Sequence, residues 1–296
     1  MERYIEYKIT DQEQNLTILQ FLKSRGYSHH VIVHLKQTPY GIRKNGVWSY
    51  VSERLVTGDI LAIFLSETQS SETIVPNESL PFPIVYEDAD LLVIDKPADM
   101  PIHPSLNNYE NSLANAAAAY FQKQGIPYVY RCINRLDRDT SGLTILAKHM
   151  LSGAILARNT GIKQIRREYT AIVNGCPPQE GTIDAPIARA AQSALERCVD
   201  PANGDPAITH FQRIHYDEEK NLSLVRLQLE TGRTHQIRVH MKHLGFPLIG
   251  DFLYNPDQRY IKRQALHSSH LSFPHPITGE VLHFSSPLPK DMQILS

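Results

Sequence analysis

Apolar positions change period several times along this chain, and each change marks an element. In LTILQFLKSRGY, Leu16, Leu19, Phe21 and Leu22 follow helical spacing, and Gly26 can stop the helix. HHVIVHLKQT, residues 29–38, predicts a second helix. YGIRKNGVWSYVS then alternates around Asn45-Gly46, a pair suited to a tight hairpin turn, and TGDILAIFL predicts a closing strand. From residue 66 to 83 the pattern stops: SETQSSETIVPNESLPFP has no apolar period and is expected to be a linker. Beyond it, IVYED and LLVIDKP flank Asp88-Ala89-Asp90 as two short strands about a turn. NSLANAAAAYFQKQG predicts a helix capped by Asn111 or Ser112 and ended at Gly125. LTILAK, at 143–148, is expected to be a short buried strand, and REYTAIVNG and NLSLVRLQLETG alternate as half-buried strands. Irregular connections between strands argue for a mixed, largely antiparallel sheet with packed helices, an α+β fold preceded by a small α/β module. The expected division is a module over 1–65, a linker over 66–83 and a second domain over 84–296.

Composition narrows the class. With 42% apolar and 21% charged residues in 296, the chain is ordinary for a globular protein, and no run nears the roughly 18 apolar residues needed to span a bilayer. MERYIEYKITDQEQN lacks the apolar core of a secretion signal, and Cys132, Cys176 and Cys198 show no CxxC spacing. A cytoplasmic protein, monomeric and without a membrane partner, is expected. Net charge is −1, yet basic residues cluster: Arg131, Arg135 and Arg138; Arg158, Lys163, Arg166 and Arg167; Arg233, Arg238 and Lys242. Such stripes fit a polyanion laid along one path, and equally fit solvated faces.

Candidate chemistry gathers at INRLDRDTSGL, residues 133–143. Asp139 precedes Thr-Ser-Gly and is expected to brace a turn through the backbone N–H two residues on, with Gly142 taking positive φ. Asp137 has no such local use. An arginine-held carboxylate at a pocket wall suits a nucleophile; a structural ion pair is the alternative, and local reasoning leaves both open. In LETGRTHQIRVHMKHLG, Thr234 is expected to cap a helix ending at Gly245. Arg233 would then sit at the helix's positive end, disfavoured by roughly 0.3 to 1 kcal/mol, so an anion should compensate it. His235, His240 and His243 have no partnering Cys or HExxH, and no metal site is expected. Tyr169, opening an alternating strand, is either a rim tyrosine or a stacking plate for a flat ring.

The blocks RLDRDTSGLTILAK, EYTAIVNG and TGRTHQIRVHMKHLGFPLIGD, with VYEDADLLVIDKPADMPIHPS and GDPAITHFQRI, resemble the signature blocks of RluA-type pseudouridine synthases in order, over about residues 84–288. The resemblance implies that Asp137 is catalytic, that Tyr169 stacks on the target uracil, and that Arg233 pairs with the catalytic carboxylate. Arg135 and Ile237 are implied at the substrate. It also implies an isomerisation of uridine in structured RNA, ribosomal or transfer, that needs no cofactor. The family usually carries His before RLD, where this chain has Asn134. Residues 1–65 loosely resemble a small RNA-binding module named after a ribosomal protein. Two other readings compete. A retaining glycosidase would use Asp137 and Asp139 roughly 5 to 5.5 Å apart, but the flanking arginines would leave no general acid. A non-catalytic RNA-binding or assembly factor would keep the fold.

Overall fold

The computed structural model describes residues 1–71 and 73–295. The first sheet is built from β1 (Glu2–Lys8), β2 (Ile42–Lys44), β3 (Val47–Trp48) and β4 (Ile60–Ser66), in the order β1-β4-β2-β3. Helices α1 (Ile18–Ser24) and α2 (His29–Gln37) accompany it. The hairpin between β2 and β3 turns at Asn45 and Gly46, both at positive φ, as the Asn-Gly pair predicts. β1 was not expected from the pattern. Only Ile5 on this edge strand is buried, so a charged stretch becomes a strand by pairing with β4 rather than by its own periodicity.

The second part holds β5 (Ile84–Glu87), β6 (Leu91–Lys96), α3 (Leu113–Lys123), β7 (Ser141–Ala147), α4 (Met150–Gly161) and β8 (Arg166–Asn174). β9 (Glu180–Asp184), β10 (Ile187–Arg189), β11 (Arg197–Val199), β12 (Ile208–Asp217) and β13 (Leu222–Leu229) follow. Then come α5 (Gln236–His243), β14 (Leu266–Pro274) and β15 (Val281–Ser285). Nine strands form one sheet, β5-β6-β7-β14-β8-β13-β12-β9 with β15 on β14, while β10 and β11 pair apart. Every pairing in the nine-stranded sheet is antiparallel except β7 with β14. The fold is therefore α+β with a mixed, largely antiparallel sheet.

That one parallel contact positions the site. It lasts two residue pairs, Ser141 with His267 and Gly142 with Ser268. Gly142 has φ +106, and a Cβ there would lie 2.3 Å from the Ser268 carbonyl oxygen, so only glycine allows the approach. Further along, β7 bonds residues 131–133 instead: Ile133 N–H donates to Ile145 C=O and Ala147 N–H to Arg131 C=O. The stretch 135–140 is thus held where β7 and β14 part.

One apolar cluster joins α3, α5 and the sheet, with Leu113, Phe121, Tyr169, Leu227, Ile237 and Met241 among its members. A second combines the first sheet and its helices with Leu151 and Ile155 of α4. A polar network reinforces that contact: Arg3 grips both Asp90 oxygens at 2.7 and 3.1 Å, and buried His149 meets the same carboxylate at 2.8 Å. Between β4 and β5, Ser70 and Ser71 accept the N–H groups of Tyr128 and Tyr130. Residue 72 of that stretch, and residue 296 at the end of the chain, lie outside the described residues.

Candidate active site

The 135–140 loop is fixed from three sides. Asn134, buried, donates to Leu143 C=O, accepts from Ile145 N–H, and offers its own carbonyl to the Thr144 hydroxyl. Lys96, fully buried, points its ammonium at the carbonyls of Pro97, Met100 and Arg138, at 2.7, 2.8 and 2.9 Å. Burial pushes Lys96 down to about 7, while three acceptors and the charges of Asp139 and Asp137 favour keeping its proton. Arg263 donates to the Asp139 carbonyl from the far side. The turn itself closes by Thr140 N–H to Asp137 C=O. The Asp139 carboxylate does not brace it as expected: it takes the Arg138 guanidinium at 3.1 Å instead, because the backbone bond already satisfies the turn.

Asp137 emerges from this loop with its side chain 27% exposed, into a cavity of about 750 Å³. Tyr169, Arg135, Arg233, Ile237 and Arg238 also line the cavity. Tyr169 comes from β8 and is itself buried; burial raises its phenol above the usual range. Ile237 is buried in the first turn of α5, and Arg135 is exposed at the mouth.

The cation on Asp137 is Arg238, not Arg233. Arg238 Nη1 donates to Asp137 Oδ2 at 2.9 Å, and its Nε and Nη2 grip the wholly buried Asp251 at 2.7 and 2.8 Å. Arg233 turns away, donating to Pro206 C=O at 3.0 Å and facing Asp205 at 3.6 Å. The cause lies in where α5 starts. Thr234 is not its cap; His235, in left-handed conformation at φ 58, precedes the first helical residue, Gln236. Arg233 therefore lies outside the helix, and the buried cation at the positive end is Arg238, compensated by two carboxylates as such a position demands. One signal was available: Arg238 falls between Ile237 and Val239 in a helix whose residues 236–241 are all buried, and a buried arginine needs anions.

His235, expected to be a helix-packing or phosphate-side group rather than a metal ligand, borders the Asp137 carboxylate. Its Nε2 lies 3.9 Å from Asp137 Oδ2, and its Nδ1 lies 2.9 Å from the Tyr254 hydroxyl, which also accepts Arg197 N–H. Burial lowers its pKa, so the neutral ring is favoured. His240 bonds Thr209 and the Ala185 carbonyl, and His243 is exposed, so the three histidines do not converge.

Comparison with known proteins places this geometry in a lineage. The family model described as RNA pseudouridylate synthase matches residues 90–243, a span holding Asp137, Tyr169 and Arg238. The chain belongs to the RNA pseudouridine synthase family. It is 41% identical over 281 residues to "Uncharacterized RNA pseudouridine synthase YjbO" of Bacillus subtilis, covering 95% of this chain and 98% of that one. It is 41% identical over 232 residues to "Ribosomal large subunit pseudouridine synthase D" of Zymomonas mobilis, covering 74% and 73%. The solved structure of Human RNA Pseudouridylate Synthase Domain Containing 1 aligns with TM-score 0.59 at 25% identity, covering 72% of this chain and 86% of that one. The protein is thus an RNA pseudouridine synthase of the RluA/RluD-like kind, an isomerase. No helix among the described residues is long and apolar enough to cross a membrane.

Proposed function

We propose that this protein isomerises specific uridines to pseudouridine in structured ribosomal RNA, with Asp137 initiating the reaction. The observation that carries the reading is the Asp137 carboxylate, held at 2.9 Å by Arg238 and opening on a cavity walled by Tyr169. The ribosomal preference rests on relatives named for the large ribosomal subunit.

The chemistry follows from the site. A uridine in folded RNA must leave its stack before its glycosidic bond can be reached, at a cost of a few kcal/mol, and phosphate contacts to exposed arginines such as Arg135 and Arg233 offset part of it. Arg238 fixes the carboxylate in position at the sugar–base junction. Asp137 starts cleavage of the N1–C1′ bond. The uracil stays on the Tyr169 ring, turns, and rejoins through C5, which loses its proton as N1 gains one. Ile237 packs beside the ring and helps exclude water, which would otherwise trap the opened sugar. Atoms balance within the substrate, so the reaction calls for no external donor or acceptor. In the same reading residues 1–65 are a separate RNA-docking module, 66–83 the connection and 84–296 the catalytic domain.

The test is pseudouridine mapping on large-subunit ribosomal RNA incubated with wild type and with Asp137→Asn. Wild type should form pseudouridine; the variant should lose at least about 10³-fold in rate, on the scale of losing a nucleophile, while binding RNA within about threefold. Equal rates in both proteins would remove Asp137 from the mechanism. Binding without isomerisation by wild type would favour an assembly factor.

A further inference from the structure

Arg167 is a charged group that neither the fold nor the proposed mechanism uses. It stands two residues before Tyr169 on β8, so the two side chains leave the strand on the same face. Its Nε is buried with no hydrogen-bond partner among the described residues. The guanidinium rests against Gly232, where an added Cβ would lie 2.9 Å from Nη1. The carboxylates nearby are engaged elsewhere: Glu168 by Arg226 and His270, Glu230 by Lys163 and His210, Asp137 by Arg238. Its Nη groups, which make no hydrogen bond or ion pair among the described residues, are the atoms of Arg167 left to meet an acceptor.

Arg167 also marks a boundary. A second cavity, of about 590 Å³, shares Arg167, Leu229 and Glu230 with the cavity at Asp137. Lys163, Arg166 and His270 line it as well, and the His270 ring is 55% exposed. Its volume suits a nucleotide-sized ligand. Two cavities joined at an unpaired guanidinium match two nucleotides joined by one phosphate, since the planar fork of arginine fits phosphate oxygens in pairs.

Resting on the RNA reading above, we propose that Arg167 holds the phosphate linking the target uridine to one neighbouring nucleotide, and that the second cavity seats that neighbour with its base against His270. Gly232 is then required because any side chain there displaces the guanidinium. The enzyme reads the flanking nucleotide of its target through this site.

The experiment measures binding of a synthetic ribosomal stem-loop that wild type modifies, with Asp137→Asn as background so the RNA is not turned over. Adding Arg167→Ala should weaken binding about tenfold and reduce the slope of log affinity against log salt by about one, the signature of one lost phosphate contact. Arg167→Lys should keep the slope. Gly232→Ala, which keeps arginine at position 167 but pushes its guanidinium aside, should weaken binding in the same direction and guards against misfolding of the first variant. Stem-loops with an abasic sugar on either side of the uridine test the second cavity. One of the two should bind about tenfold more weakly, on the scale of one lost stacked base, and His270→Ala should abolish that difference. An unchanged salt slope in Arg167→Ala overturns the phosphate assignment, and equal binding of both abasic RNAs overturns the seat. Failure of wild type to modify any RNA sinks the underlying reading itself, a result distinguishable from both.

Discussion

Arg238 ties Asp137 to Asp251: one guanidinium edge donates to Asp137 at 2.9 Å across 101 residues of chain, and the other holds Asp251, 13 residues away, at 2.7 and 2.8 Å. Asp251 and Arg238 are buried, whereas Asp137 reaches the cavity. The arginine therefore acts as a fixed strut. Its charge is held from behind, and only the front carboxylate is free to meet a substrate.

Removing the strut should cost both fold and rate. Arg238→Ala leaves Asp251 buried without its partner, a loss of about 3–5 kcal/mol in urea unfolding, and should lower kcat more than about 100-fold. Arg238→Lys, lacking the fork, cannot bond both carboxylates and should fall between. Arg233→Ala should change stability by no more than about 0.5 kcal/mol and act on KM, because its contacts are at the surface. Unfolding curves and steady-state kinetics on the three variants separate the two arginines. A kcat loss confined to Arg233→Ala would reverse their assignment.

Tyr169 should matter as a ring more than as a phenol. Its hydroxyl has no hydrogen-bond partner among the described residues; burial raises its pKa, with Arg167 and Asp137 acting in opposite directions. Tyr169→Phe should keep stability within about 1 kcal/mol and activity within about tenfold. Tyr169→Ala opens a gap in the cluster beneath the cavity and should cost about 3–5 kcal/mol, with activity largely gone. Thermal melts and initial rates would show it, and a Phe variant as inactive as Ala would make the hydroxyl essential.

Lys96 gives the protein a predictable pH response. Burial lowers it to about 7 in the folded protein, against 10.5 for the free side chain. Between those values the unfolded chain binds a proton that the folded chain lacks, so this group's contribution makes the protein more stable as pH rises, by at most about 1.4 kcal/mol per pH unit, and leaves it level below pH 7. Lys96→Met lacks the group. The stability of wild type minus that of Lys96→Met, from urea titrations at pH 6, 7.5 and 9, should be flat at first and then climb. A flat difference throughout would mean that the three carbonyls keep the ammonium charged to high pH.

The contact between the first sheet and α4 depends on a shared carboxylate. Asp90→Ala strands both Arg3 and His149 and should cost about 2–4 kcal/mol; Arg3→Ala, partly exposed, about 1 kcal/mol. The double variant should be less destabilised than the sum, with a coupling of about 0.5–3 kcal/mol in a thermodynamic cycle. Strict additivity would mean that Arg3 and Asp90 do not interact.

Much of the element map was legible because it depends on neighbours in sequence. The Asn45-Gly46 turn, the strands β8 and β13, and the helix capped at Ser112 all appear where local pattern puts them, although β8 buries Ala171, Ile172 and Val173 in succession instead of alternating. β1 did not, since one inward residue carries no period. Within the site, residues 133–143 marked the loop, but the expected brace by Asp139 and cap by Thr234 failed to a backbone bond and a left-handed histidine. Motif spacing could not say which arginine reaches a carboxylate 101 positions earlier, because a helix that starts even one residue later than expected presents different side chains to its surroundings.

What the sequence determined by itself was part of the element map, the family and the positions where charge concentrates, since turn chemistry, periodicity and short motifs are properties of adjacent residues. Tertiary structure alone decided that Arg238 holds Asp137, that Lys96 lies beneath the loop, and that Arg167 lies between two cavities without an acceptor among the described residues. Those pairings arise where β14 leaves β7 and α5 packs against the sheet. Buried charge is satisfied by whatever folding brings within reach, and reach is not written in any local stretch of chain.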